Sequence, residues 1–292
     1  MSMTSKGLIP AAFVVLCLPV TAPAAWFGDL ELAIAHDDNM NRAARAADER
    51  SDTFADVELV GARPFDLREW GTLDAGVVLS GRGHDRFHEL NRASVGLTLD
   101  FHRRLGLGPQ APWVGAHGEF HYDRVKDDLR KARRQVVGVS AGRGFGDALQ
   151  VSGGVTYTRQ SPRNVTREEG NAPQRVFRLK TLTLSVDVDY LLANDWLLLA
   201  GFDIQDGDIN ASTTDPDLFD SEPPPWLQDP VFGRDFRTYR LDATVFGLHA
   251  GLSVPLSPRS SLNVQARYTE VDAQNDISYG ATRWRLSYLR EL

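Results

Sequence analysis

The stretch from Thr181 to Gln205 limits the possible folds of this chain more than any other part of the sequence. Its first half alternates strictly, with apolar residues on one face and small polar or acidic residues on the other: Leu182, Leu184, Val186 and Val188 against Thr183, Ser185, Asp187 and Asp189. A period of two is the repeat of a β-strand. Asn194-Asp195 predicts a turn, and the segment after it predicts a second strand. An apolar face that ends in Tyr190 and Trp196, backed by an acidic face, fits a wall between lipid and a wet lumen better than a soluble core.

Similar segments occur along the rest of the chain and bring the predicted number of strands to twelve. The connections alternate between compact turns and long charged loops, the longest being 36–52, 123–133, 159–175 and 206–235. Short turns at one rim and long loops at the other are typical of a transmembrane barrel. A secreted β-sandwich also alternates, but unequal loops and aromatic-ended stripes favour an all-β, antiparallel, up-and-down transmembrane β-barrel of about twelve strands.

The N-terminal segment predicts a cleaved secretory signal peptide. The apolar run Leu8–Val20 follows Lys6 and precedes small residues, so we place the signal at 1–24 and the barrel domain at 25–292. The single cysteine, Cys17, lies inside the signal. The formal charge of the chain is −7, and loss of Lys6 makes it −8, a balance that disfavours nucleic acid as a partner.

One predicted strand changes its apolar face part-way along. Tyr239, Leu241, Ala243 and Val245 share one parity, whereas Leu248, Ala250, Leu252 and Val254 share the other. An extra residue in one strand would move the apolar set to the opposite parity. The pattern therefore predicts a β-bulge near Gly247.

Two segments resemble metal sites in composition. His117, Glu119 and His121 share the polar face of one strand, but alternate residues are about 7 Å apart, so lining of the lumen is the favoured explanation. Asp206–Asn210 opens like a calcium loop, yet Ala211 and Asp217 stand where such a loop needs glycine and glutamate. We predict no metal and no cofactor, and leave calcium binding by the acidic 206–235 segment open.

A hydrolase is a minor alternative. His84 and His88 flank a loop near Ser80, but the sequence lacks the His-x-Ser pair used by the twelve-stranded outer-membrane phospholipases. No catalytic residue is assigned.

Charged side chains on the polar faces are the predicted lumen-lining residues. They are Asp29, Glu31, Asp56, Glu58, Asp74, His117, Glu119, His121, Asp187, Asp189, Asp203, Arg240, Arg267, Arg283 and Arg285. Because closure places the last strand beside the first, Arg283 and Arg285 are expected opposite Asp29 and Glu31 at the seam.

With its signal segment, its twelve amphipathic strands and its closing strand Arg283–Leu292, the chain resembles the Gram-negative outer-membrane β-barrel superfamily. Barrels of this class usually end in an aromatic residue, and this one ends in Leu292. The resemblance implies an integral outer-membrane location, contact with lipid and lipopolysaccharide, and insertion by the barrel-assembly machinery. The sequence favours a narrow porin-like channel for small polar solutes or ions. The alternative is a structural or interaction barrel with a closed lumen that presents its loops to a protein partner.

Overall fold

A computed structural model describes residues 26–108, 110–163, 172–215, 224–275 and 277–292, so the predicted signal peptide lies outside the described residues. These residues form one short α-helix, α1 (Ala172–Phe177), four single-turn 3₁₀ helices and thirteen strands. The strands are β1 (Phe27–Asp37), β2 (Asp52–Asp66), β3 (Thr72–His84), β4 (Arg92–Arg104), β5 (Trp113–Val125), β6 (Ala132–Phe145), β7 (Leu149–Pro162), β8 (Leu179–Leu191), β9 (Leu197–Thr213), β10 (Trp226–Gln228), β11 (Arg237–Ser257), β12 (Ser260–Ala273) and β13 (Ile277–Glu291). None of the described helices is long and apolar enough to span a membrane.

Twelve of these strands form one closed barrel. Each barrel strand pairs antiparallel with its neighbour in the chain, β9 pairs with β11, and β13 pairs with β1 to complete the ring. β10 is a short addition that pairs only with the start of β11. Closure leaves every barrel strand with two neighbours, so none of the twelve barrel strands is an edge strand. The predicted up-and-down barrel of twelve strands is confirmed.

The outer surface of the barrel is an apolar belt. Leu184 is 51% exposed and Leu182 and Val186 are similarly exposed, a degree of exposure that only a lipid environment makes favourable for a long row of such side chains. Exposed aromatic side chains lie towards both ends of the belt: Trp70, Phe145, Tyr190 and Trp196 near the short-turn rim, and Tyr157, Tyr268 and Trp284 towards the long-loop rim. The predicted turn is present, with Asp195 in the left-handed region at φ 63°.

The predicted bulge near Gly247 is wrong. β11 pairs without interruption with β9 through Gly247↔Asp203 and with β12 through Gly247↔Thr269, and its only register shift lies near the short-turn rim between Pro255 and Ser257. Tyr239, Leu241, Ala243 and Val245 instead face inward, where they form a buried apolar cluster with Val271, Ala273, Ile277 and Tyr279. Ala44 of the 38–51 loop packs against this cluster. The apolar stripe changes face because the loop covers the inner side of the strand there.

The long 206–235 loop of the sequence prediction is also corrected. β9 continues to Thr213, paired residue by residue with β11 as far as Arg237↔Thr213. Asp206–Asn210 is therefore extended strand, which cannot wrap its side chains around one ion as a calcium loop does. Asp208 instead accepts a hydrogen bond from the backbone N–H of Lys180 and pairs with Arg240.

Candidate functional site: the charged lumen

The interior of the barrel is lined by the polar residues that alternate with the lipid-exposed ones. Most of the residues predicted to line the lumen have this inward phase: Asp29, Glu31, Asp56, Glu58, Asp74, His117, Glu119, His121, Asp187, Asp189, Asp203, Arg267, Arg283 and Arg285. Arg240 has the opposite phase, because its neighbours Tyr239 and Leu241 are the buried, inward residues of β11. It pairs with Asp208 at 3.5 Å, in the part of β9 that extends past its pairing with β8.

Asp37, at the end of β1, is the centre of the ion-pair network at the barrel seam. Its fully buried carboxylate accepts hydrogen bonds from Arg42 of the 38–51 loop, at 3.0 and 2.9 Å. Arg283 of β13 donates to the same carboxylate at 2.7 and 3.1 Å. One side chain thus joins the first strand, the last strand and the first long loop. The sequence prediction missed Asp37 because it assigned 36–52 to a loop.

The seam register differs from the predicted one. Asp29 lies opposite Glu291, so the expected contact between Asp29 and the arginines of the last strand is wrong. Arg283 lies opposite Asp37, and Arg285 lies opposite Ala35. Alternation fixes which face a residue occupies, but it does not fix how far one strand is shifted along the other.

Arg285 crosses the seam diagonally and connects β13 to the second strand. It contacts Glu31 at 3.1 Å and Asp56 at 2.9 Å. Asp56 also receives a two-pronged contact from Arg82 of β3, at 2.6 and 3.0 Å. The Arg82 guanidinium stacks 4.2 Å from the ring of buried Phe54. Bidentate and stacked guanidinium groups are held in one orientation, so the charged groups on this side of the lumen have fixed positions.

A second group of ion pairs lies further round the wall, on strands β8 to β12. Arg267 of β12 donates to both oxygens of Asp203 at 2.7 Å, across the intervening strand β11 at Gly247. His249 Nε2 lies 3.3 Å from Asp187 Oδ1, across Gly201. Glycine at these two inward positions leaves the space that the neighbouring charged side chains occupy.

The two histidines of β5 do not converge on a common point. The ring of His117 covers Gly138 of β6, whereas the ring of His121 covers Gly96 of β4 on the other side. His121 Nε2 is bonded to Glu119 at 2.7 Å. Within the described ranges no group of three or more metal-ligating side chains is present. The pair therefore lines the lumen in two directions and does not form a chelate.

Ser80 and His84 are too far apart for a nucleophile and its base. Both belong to β3 and are four residues apart, a separation of about 13 Å along a strand. His84 Nδ1 is bonded to Asp52 at 2.9 Å, and His88 Nδ1 is bonded to the His84 carbonyl oxygen at 2.7 Å.

The 38–51 loop crosses the mouth of the barrel at the long-loop rim. The side chain of Asn41 donates to the carbonyl oxygen of Ser212 at 3.3 Å, and the backbone N–H of Ser212 donates to the Asn41 carbonyl oxygen at 2.9 Å. Asp48 accepts hydrogen bonds from Thr213 and Thr214 at 2.6 to 3.0 Å. Burial raises the pKa of Asp48, but these hydrogen bonds outweigh it and hold the pKa below its ordinary value. The loop is therefore fastened to the far end of β9.

A second set of ion pairs joins the loop between β5 and β6 to the segment that follows β10. Arg130, which follows β5, pairs with Asp127 and with buried Asp229 beside β10. Burial acts to lower the pKa of Arg130, yet the two carboxylates raise it above its usual value, so the guanidinium stays charged. Its plane stacks 4.8 Å from the ring of Phe177 in α1. Beneath these loops lies a cavity of about 260 Å³.

Comparison with solved structures places this geometry in a known architecture. The chain is similar to the COG4313 outer membrane channel from Pseudomonas putida F1, with 14% identity, 98% of this chain and 100% of that chain covered, and a TM-score of 0.58. The likeness is one of fold, a closed antiparallel β-barrel. The NanC porin, at 9% identity with 90% and 100% coverage, and the KdgM porin, at 10% identity with 90% and 98% coverage, give TM-scores of 0.48 and 0.44. No family model and no curated protein matches the chain.

Proposed function

We propose that this chain is an integral outer-membrane protein that forms a narrow channel for small polar solutes or ions. The observation that carries the proposal is the contrast between the two faces of a closed barrel. The outer face is an apolar belt, and the inner face holds fixed charges, such as Arg285 with Asp56 and Arg267 with Asp203. Charges that face only other protein atoms are costly to bury, whereas a wet lumen solvates them.

The fixed charges also favour conduction of solutes that are themselves polar. Side chains held by bidentate contacts keep their positions and present a constant field to whatever enters the lumen. A twelve-stranded barrel encloses a lumen between that of packed eight-stranded barrels and that of wide porins. We therefore infer a pathway that passes small hydrated molecules and excludes large ones.

The second candidate is a closed barrel that presents its loops to a protein partner. The observation in its favour is the fastening of the 38–51 loop to Ser212 and Thr213, which places protein across the mouth. A hydrolase is not favoured, because Ser80 and His84 are held apart on one strand and the imidazole is engaged with Asp52. No cofactor enters the proposal.

In the membrane, we place the long-loop rim outside the cell and the short-turn rim in the periplasm. Removal of residues 1–24 and insertion by the barrel-assembly machinery are part of the same proposal. Arg124 and Arg133, which are exposed near the long-loop rim, are suited to contact with lipopolysaccharide phosphates.

A solute-uptake measurement tests the channel against the closed barrel. Purified mature protein in liposomes is expected to admit neutral polar solutes up to a sharp size limit, seen as osmotic swelling after dilution into each solute. The matched control is the same preparation after boiling, which unfolds the barrel. Swelling that equals that of protein-free liposomes for the smallest solute would support the closed barrel instead.

A further inference from the structure

Arg92 differs from three other inward arginines, Arg82, Arg134 and Arg285. It begins β4 directly opposite Arg82 of β3, so two guanidinium groups are neighbours across one strand pair. Arg82 is held by Asp56, Arg285 by Asp56 and Glu31, and Arg134 by Asp123. The guanidinium of Arg92, by contrast, makes no hydrogen bond and no ion pair with any residue in the described ranges, and Asp123 acts on it only from beyond ion-pair distance. Like charges directly opposite each other destabilise a sheet unless a counter-charge lies between or beside them.

The Arg92 guanidinium lines two cavities. It lines the cavity of about 260 Å³ beneath the long loops, and it also lines a smaller one of about 110 Å³ deeper in the lumen, beside Glu58, Ser80 and Arg285. A solute that passed from the mouth towards the periplasmic side on this wall would meet Arg92 between the two compartments. The position is therefore suited to hold a solute on its way through the barrel.

The upper cavity offers further groups that complement a small organic anion. The amide of Gln160 makes no hydrogen bond within the described part of the chain, and His84 is bonded to Asp52 only through Nδ1, which leaves Nε2 for another partner. Leu90, Phe177 and Phe232 provide apolar surface on the same cavity. The cavity therefore combines polar groups that can orient a small molecule with apolar side chains that can cover its body.

Charge in the cavity also limits what the site would accept. Arg82 and Arg130 line it as well, but their charges are balanced by Asp56 and by Asp127 and Asp229. Asp123 faces the same space and has one buried carboxylate oxygen with no hydrogen-bond partner among the described residues. A carboxylate there repels a doubly charged anion more strongly than a singly charged one. The planar fork of arginine matches the two oxygens of a carboxylate.

We propose that the cavity beneath the loops is a binding site for a small organic monocarboxylate, held by Arg92 and oriented by Gln160 and His84. The proposal rests on the proposed channel only in that the solute reaches the site through the barrel. It extends the function from small polar solutes in general to singly charged organic acids with a short apolar body.

Binding can be measured separately from conduction. Butyrate is titrated into the full mature chain in detergent and the heat is recorded by calorimetry, with butyramide as the neutral analogue of the same size and inorganic phosphate as a multiply charged anion. Arg92→Gln is expected to weaken butyrate binding about ten- to a hundredfold, the range of a charge-assisted hydrogen bond. Arg92→Lys keeps the charge but loses the planar fork of the guanidinium, so its affinity for butyrate is expected to lie between those of wild type and Arg92→Gln.

Arg133→Gln is the matched control, because Arg133 carries the same charge on the exposed face of β6. It is expected to leave butyrate binding unchanged. Equal binding by wild type and Arg92→Gln, no binding of butyrate to wild type, or tighter binding of phosphate or butyramide than of butyrate would each overturn the proposal. If butyrate binds as predicted but liposomes do not swell, the channel fails while the site stands, so the two failures are distinguishable.

Discussion

Replacement of Asp37 by asparagine is expected to destabilise the barrel at its seam. The carboxylate is buried and accepts two hydrogen bonds from Arg42 and two from Arg283, whereas an asparagine would keep the shape but lose the negative charge and one acceptor. A hydrogen bond to a charged group contributes about 1.5 to 3 kcal/mol, and loss of one partner of a buried pair costs about 3 to 5 kcal/mol. Because the side chains of Arg42 and Arg283 are 26% and 35% exposed, water solvates part of their charge. We therefore expect a loss of about 2 to 4 kcal/mol.

The assay is reversible unfolding in urea from lipid vesicles, followed by tryptophan fluorescence and by the heat-dependent shift of folded barrels on gels. Asp189→Asn is the control, since Asp189 is an inward aspartate on β8 that makes no ion pair within the described part of the chain. It should change the free energy of unfolding by less than about 0.5 kcal/mol, as is usual away from a specific network. Equal stability of wild type and Asp37→Asn would refute the seam network.

Three further predictions concern the two faces and the loop. Leu184→Arg, on the lipid side, should cost about 2 to 4 kcal/mol in the same urea assay, whereas Asp187→Asn on the lumen side should be tolerated; equal costs would mean that the faces are reversed. Asp48 has a lowered pKa, so the stability it gives the 38–51 loop is present above its unfolded pKa of about 4 and is lost as the pH falls through the lower folded value. Proteolysis of the loop should therefore accelerate below about pH 4 in wild type, and Asp48→Asn should show accelerated cleavage already at pH 7; a pH profile shared by both proteins would contradict this. Cysteines at Asn41 and Ser212, whose backbones are hydrogen-bonded, should form a disulfide on oxidation that lowers the single-channel current, and an unchanged current in the cross-linked protein would show that the loop does not restrict the pathway.

The sequence was most informative for strands whose two faces keep the same surroundings along their whole length. On β8, lipid on one side and lumen on the other give a strict alternation, so both the strand and its faces could be predicted from Thr181 to Tyr190. On β11, the inner face is covered by the 38–51 loop at one end and faces the lumen at the other. The resulting change of apolar parity imitated a bulge at Gly247, because an inward apolar cluster and a shifted strand produce the same pattern.

Ion-pair partners were harder to predict than faces, for a related reason. Arg283 and Arg285 were expected near Asp29 and Glu31 because all four lie on polar faces of adjoining strands. Arg285 does contact Glu31, as expected, but Arg283 pairs with Asp37 and Arg285 also reaches Asp56, contacts that depend on the shift between strands at closure. Arg82 and Arg92 were not singled out because nothing in local alternation separates an arginine held by a carboxylate from one that faces a cavity, and Asp37 was missed because it was assigned to a loop.

Single-channel recording of the purified mature protein in planar bilayers tests the central claim most directly. The charged lumen beneath a fastened loop predicts discrete, small conductance steps in salt, and a measurable rise in step size when the Arg42 and Asp48 contacts are removed together by Arg42→Gln and Asp48→Asn. The fold of that variant is confirmed beforehand by its heat-dependent gel shift. Discrete steps that grow in the variant would establish a narrow channel limited by its own loop. Silent bilayers with both folded proteins would contradict the account and leave the barrel as a closed structural element.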